Sequence, residues 1–185
     1  MPDSAPTYAP STVIKFWYEA GSERWFSPDP GFDAQVRENW LAAHEAAARR
    51  QLSEWEATAE GMLALLLLLD QFPRNIFRGL PHAYATDLLA YGVATRAMAR
   101  RDDLQFKNPW KRFFYLPFMH SERLVDQERC LDLCRAAADE GAYRAGLEHL
   151  DIIARFGRFP HRNAVLGRVT TAEEQAFLDA GGFAM

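Results

Sequence analysis

Between Gly61 and Gly79 the chain reads GMLALLLLLDQFPRNIFRG, and from Met62 to Leu69 no position on any face is polar. A helix with that pattern must be wrapped by protein all round. Its last turn delivers Asp70 and Gln71, and Phe72-Pro73 is expected to start a new segment carrying Arg74, Asn75 and Arg78. Elsewhere apolar residues recur at helical spacing. Ser11 or Thr12 is placed to cap a first helix with Val13, Phe16 and Trp17 as its stripe. Phe32, Val36, Trp40, Ala43 and Ala47 set out a second over 32–50. Ser53-Glu54-Trp55-Glu56 has the capping-box pattern, although the buried helix itself is expected to start nearer Thr58.

Beyond the Phe72-Pro73 break, a further helix is expected over 84–101, with Leu88, Tyr91, Ala94 or Thr95, and Met98 facing inward. The aromatic segment WKRFFYLPFMH reads as broken by Pro117. Ser121 is placed to cap the next helix, which runs to about Glu140; Gly141 separates it from another over 143–156, ended by Gly157. Thr170 or Thr171 caps a last short helix. No stretch alternates with period two between hairpin turns. The expected fold is all-α: one helical domain over residues 11–185 behind a flexible lead-in, 1–10. Its antiparallel helix pairs would stack around the Met62–Leu69 helix, although no strict repeat period is present.

A length of 185 residues suits one domain, and the apolar (49%) and charged (25%) shares are those of a soluble globular protein. A net charge of -4 lacks the basic excess expected of a nucleic-acid binder. The longest apolar run is far short of the roughly 20 residues that span a bilayer. The N-terminus lacks a basic region followed by an apolar one, so no secretory signal is visible. Cys130 and Cys134 share a helix face at a spacing that does not suit a relaxed disulfide. Two small core residues in a reducing cytoplasm fit best.

The chemistry concentrates in two segments. Asp70 sits at the negative end of a helix dipole, so its burial demands a cation, with Arg74, Arg155, Arg158 and Arg162 as candidates. Such a pair would latch the C-terminal segment onto the buried helix. Pro73-Arg74-Asn75 and Pro160-His161-Arg162-Asn163 each offer a proline-initiated turn with outward N–H groups, an arginine and an amide. Facing each other, two such turns would make a receptor for a carboxylate or phosphate. The candidate ligand-binding set is therefore Asp70, Gln71, Arg74, Asn75, His120, Glu122, Arg158, His161, Arg162 and Asn163. The ligand expected is a small anion or the anionic end of a peptide.

An alternative is a hydrolase or transferase acting on an anionic substrate, a phosphorylated one included. His120 or His161 would then be the acid–base group, with Asp70 a further catalytic candidate. A Ser121-His120-Asp70 nucleophilic arrangement exists on paper, but Ser121 is better explained as a helix cap. A third alternative is a protein-interaction scaffold presenting Trp17, Trp25, Phe26 or Trp110. No HExxH or His-x-His spacing occurs, so neither a metal nor a cofactor is expected. His149 reads as a hydrogen-bonded core histidine, and His44 as a surface or packing residue.

At LLLDQFPRNIFRG, FFYLPFMHSE and HLDIIARFGRFPHRNAVLGR the chain resembles the uncharacterised bacterial DUF924 family, from Val13 to Leu178. It matches that family's pattern at 70–75, at 120–122, at His149 and at 156–163. The resemblance implies an all-helical fold similar to tetratricopeptide-repeat (TPR) proteins, and no established activity.

Overall fold

In a computed structural model, residues 8–182 are described; the expected lead-in falls largely on residues 1–7, outside them. The chain is all-helical among the described residues: α1 Pro10–Ala20, α2 Ser22–Trp25, α3 Pro30–Ala48, α4 Ala59–Leu66, α5 Phe72–Ile76, α6 Asp87–Arg100, α7 Arg112–Met119, α8 Leu124–Ala136, α9 Glu140–Phe156 and α10 Ala172–Asp179. Helix α1 begins at Pro10 with Ala9 at its N-cap, so neither Ser11 nor Thr12 caps it; the Thr12 hydroxyl donates back to the Ala9 carbonyl. Proline supplies the fixed φ of a first turn without wasting a donor. Helix α3 buries the predicted stripe, and His44 is buried with it rather than lying at the surface.

Every residue from Gly61 to Pro73 is buried. The Thr58 hydroxyl caps α4 through the Gly61 N–H. The helix does not stop at Phe72-Pro73. It passes through a π turn, Leu67–Gln71, in which the Phe72 N–H reaches back to the Leu67 carbonyl, and continues into α5. A π turn and a proline both strand carbonyls of the preceding turn. Side chains take them up: His44 Nδ1 at 2.8 Å from the Leu68 oxygen, the Thr86 hydroxyl at 2.6 Å from that of Leu69, and Arg74 at 2.9 Å from that of Asp70. The widened turn thereby sets Asp70 and Gln71 in place.

Helix α6 buries Ala94 of its expected inner face and departs from the rest of it. Its buried face is Ala90, Val93, Ala94 and Ala97, while Leu88 is 86% exposed. Small residues let α6 approach α4 closely, which the larger side chains of the predicted face would prevent. Pro117 lies inside α7 rather than breaking it. Helix α8 starts at Leu124 and has no side-chain cap; the Ser121 hydroxyl donates instead to Asp126, 2.6 Å away. Asp139 caps α9, which places Gly141 in its first turn and not between helices. Thr171 and Glu174 close a capping box on α10.

The aromatic residues form an internal cluster. Trp17, Trp25, Phe32, Phe72 and Phe113 pack with ring centroids about 5–6 Å apart, and the Trp25 indole donates to the Trp17 carbonyl. The expected aromatic surface is thus internal at Trp17 and Trp25, and only Phe26 of that group is strongly exposed.

Candidate functional site

The π turn, the end of α7 and the loop after α9 meet at a buried polar hub. Asp70 is 1% exposed. Its Oδ1 lies 2.8 Å from His120 Nδ1 and 3.4 Å from Arg74 Nη2, and its Oδ2 accepts from the Gln71 amide. Burial works against the charged carboxylate, yet the nearby His120 and Arg74 hold Asp70 well below the usual carboxylate range. Of the four candidate arginines, Arg74 pairs with Asp70, whereas Arg155, Arg158 and Arg162, the expected C-terminal latch, pair with other carboxylates. The ion-pair partners of Asp70 among the described residues are Arg74 and His120, because Arg74 stands one helical turn away on the same face. Arg155 is remote from the hub, paired with Asp151.

Two residues of the hub escaped the sequence reading. Asp87, at the start of α6, bridges two guanidiniums: Oδ1 is 3.0 Å from Arg74 and Oδ2 is 3.6 Å from Arg162. Tyr84, in the short 3-10 turn Pro81–Tyr84, lies under both, 5.7 Å from the Arg74 guanidinium and 4.7 Å from that of Arg162. An acidic residue opening a helix was the available signal for Asp87, but the same position suits an ordinary first-turn carboxylate.

His120 is the hinge of the arrangement. Its backbone N–H bonds to the Leu116 carbonyl, and its own carbonyl accepts from Arg162 at 3.1 Å. The Gln127 amide donates to the carbonyls of Met119 and Ser121 on either side. Burial and the Arg74 charge lower the His120 pKa, outweighing the Asp70 carboxylate. His149, 6.3 Å away between ring centroids, bonds through Nδ1 to the Ala145 carbonyl, and burial lowers its pKa to about 4. Burial and the Arg162 charge bring His161 down to about 3. Burial and Arg74 bring Arg162 down to about 10.

Two adjoining cavities open on this hub and share Tyr84 and His120. The polar one, about 240 Å³, takes Gln71, Arg74 and Asn75 from the first proline turn and His161 from the second. The larger, about 380 Å³, takes Asp87, Glu122 and Arg162, with Leu88, Tyr91, Pro117 and Leu166 as apolar wall. Asp70 sits behind His120 and lines neither.

Arg158 and Asn163 lie elsewhere. They join the Glu174 carboxylate, at 2.6 and 3.2 Å, in a clasp that fastens α10 to the chain. Arg168 joins Glu122 to the Asn163 side chain, and the Phe159 N–H also reaches Glu122. Asn75 and Arg78 share Asp33 of α3. The arginines of the two proline turns are largely paired, because Asp33, Asp87, Glu122 and Glu174 reach them and their neighbours from distant parts of the chain. Among the described residues no group of three or more His, Cys, Asp or Glu is placed to hold a metal ion. No helix among them is long and apolar enough to cross a membrane.

An all-helical fold around a buried Asp–His–Arg hub defines the class. The chain belongs to the family described as "Bacterial protein of unknown function (DUF924)", whose model matches residues 13–182. It is similar to a solved protein of unknown function from Agrobacterium tumefaciens, at 46% identity and a TM-score of 0.90, covering 93% of this chain and 97% of that one. No curated protein matches the chain.

Proposed function

We propose that the protein binds a small anionic ligand, a carboxylate above all, in the paired cavities around His120 and Tyr84. The observation that carries this reading is that Arg74 Nε and Arg162 Nε are buried without a hydrogen-bond acceptor. Buried donors are nearly always matched, and an incoming oxyanion would complete both guanidiniums. Gln71, Asn75 and His161 complete the polar wall, and Glu122 closes the second cavity. Arg158 and Asn163, which the sequence placed in the set, act on this reading by holding the second turn. Charge balance favours a monoanion over a dianion: Arg74 and Arg162 are already opposed by Asp70 and Asp87, so each negative charge of the ligand adds to a balanced set and a doubly charged phosphate adds twice as much.

The framework we infer is a TPR-like stack of antiparallel helices around α4. The sequential packing of α6 on α7, α7 on α8 and α8 on α9 supports it. The buried free thiols of Cys130 and Cys134 suit a cytoplasmic setting.

A thermal-shift screen of mono- and dicarboxylic acids, inorganic phosphate and nucleotides tests the binding reading. A carboxylate at a hundredfold excess over its Kd should add about 2.7 kcal/mol of stability. Arg74→Ala and Arg162→Ala should abolish the shift. Adjacent cavities with no anion-dependent shift would make the arginines purely structural.

A further inference from the structure

His120 differs from the other histidines whose bonds fix their ring. His44 and His149 turn Nδ1 to backbone carbonyls of Leu68 and Ala145, which suffices to bury an imidazole. His120 turns Nδ1 to a carboxylate that is itself buried and needs Arg74 beside it. For packing alone, that is an expensive choice. It has a chemical consequence: with Nδ1–H donated to Asp70, the lone pair is on Nε2. Nε2 makes no hydrogen bond among the described residues, and His120 lines both cavities. The turn is braced by Gln127 and Arg162, so the ring is held before any ligand arrives.

The cavities also narrow the choice of nucleophile. Ser121 commits its proton to Asp126, and the buried thiols of Cys130 and Cys134 line neither cavity. A water molecule is left as the group for the base to activate.

Building on the ligand-binding reading, we propose that this site hydrolyses small carboxylate-bearing esters, with His120 as the general base and Asp70 as its positioning residue. The substrate carboxylate docks against the Arg74 and Arg162 guanidiniums, and the ester lies at the seam between the cavities. His120 Nε2 takes a proton from water as the water oxygen bonds to the acyl carbon. The tetrahedral oxyanion is stabilised by the nearby guanidinium of Arg74. The carbon–oxygen bond to the alcohol then breaks, and the departing alkoxide takes the proton from Nε2. Ester and water become acid and alcohol, with His120 returned to its neutral form. Burial and Arg74 favour that neutral base, while Asp70 steadies the transient imidazolium.

Mono-4-nitrophenyl glutarate, followed by nitrophenolate release, is the probe, with glutarate melting shifts measured in parallel. Turnover in excess of the spontaneous release in buffer should rise with pH through one deprotonation below pH 6.5, the ordinary histidine value. It should be slower in D2O. His120→Asn and His120→Gln should each lower it by about 100-fold or more while keeping the glutarate shift. Asp70→Asn should lower the rate and displace the pH profile. Glutarate binding without turnover, or turnover unchanged in folded His120 variants, overturns the hydrolase assignment alone. If those variants do not fold, a wild-type rate flat from pH 4 to 7 overturns it. A probe that neither binds nor reacts overturns the ligand-binding reading together with it.

Discussion

The Nδ1 of His120 and the Oδ1 of Asp70 stand 2.8 Å apart, fifty residues apart in the chain and both buried. Asp70 accepts this bond while also facing Arg74, so neutralising it would leave a buried guanidinium short of a partner. Asp70→Asn should therefore destabilise the protein by about 3–5 kcal/mol, read from denaturant unfolding at pH 7. An unchanged midpoint would mean that the hub is not a structural keystone.

Acid should weaken the fold in two overlapping stages. His44, His120, His149 and His161 all have lowered pKa values in the folded protein, so below pH 6.5 the unfolded chain binds protons that the native one refuses. Stability should be full above pH 6.5 and fall as pH drops, to about 4 for His149 and about 3 for His161, by up to about 1.4 kcal/mol per pH unit for each histidine. Asp70 adds its own loss at the acid end of that range. Its depressed pKa gives stability present above 3.8, the ordinary value, and lost as pH falls towards the folded one. Replacing His149 by Gln should flatten the first stage, provided the variant folds. A melting temperature independent of pH from 7 to 4.5 would contradict the buried neutral histidines.

The sequence made the hub visible where its signal is local. A run with no polar face announces a wrapped helix, and the carboxylate that ends it announces a need for compensation. Which cation answers was not legible, because Arg74, Arg155, Arg158 and Arg162 look alike in a string of letters. Their partners Asp33, Asp87, Glu122 and Glu174 are chosen by the tertiary fold. The same limit explains α6, where Ala90 and Ala97 carry little hydrophobic weight yet join Ala94 on the inner face because close approach to α4 requires small side chains. Continuity through Phe72-Pro73 was hidden because proline reads as a stop unless other groups take up the freed carbonyls, and those groups are His44 and Thr86.

Gly61 sits where the start of α4 touches the preceding segment. A Cβ there would run into the carbonyl of Trp55, which is backbone and cannot rotate away. Gly61→Ala should destabilise by about 1–3 kcal/mol despite alanine's higher helix propensity. Gly141→Ala is the natural control: its Cβ would meet nothing closer than 3.7 Å in the first turn of α9, so it should be neutral or stabilising by about 0.5–1 kcal/mol. Equal melting temperatures for the two variants would refute the close approach.

Thr86 tests the π turn itself. Its hydroxyl is the donor that satisfies the Leu69 carbonyl, which Pro73 leaves without the N–H an ordinary helix would supply. Valine matches threonine in shape but cannot donate, so Thr86→Val leaves a buried carbonyl unpaired, at about 1–3 kcal/mol. Thr86→Ser keeps the donor and should recover most of that loss. The effect should reach the site, because Leu69 immediately precedes Asp70: the valine variant should loosen the carboxylate that orients His120. Nitrophenyl-ester turnover should then fall in Thr86→Val and return in Thr86→Ser. If Thr86→Val is as stable as the wild type, the widened turn does not depend on this bond. If it is destabilised but reacts as before, the π turn supports the fold without setting the geometry of Asp70.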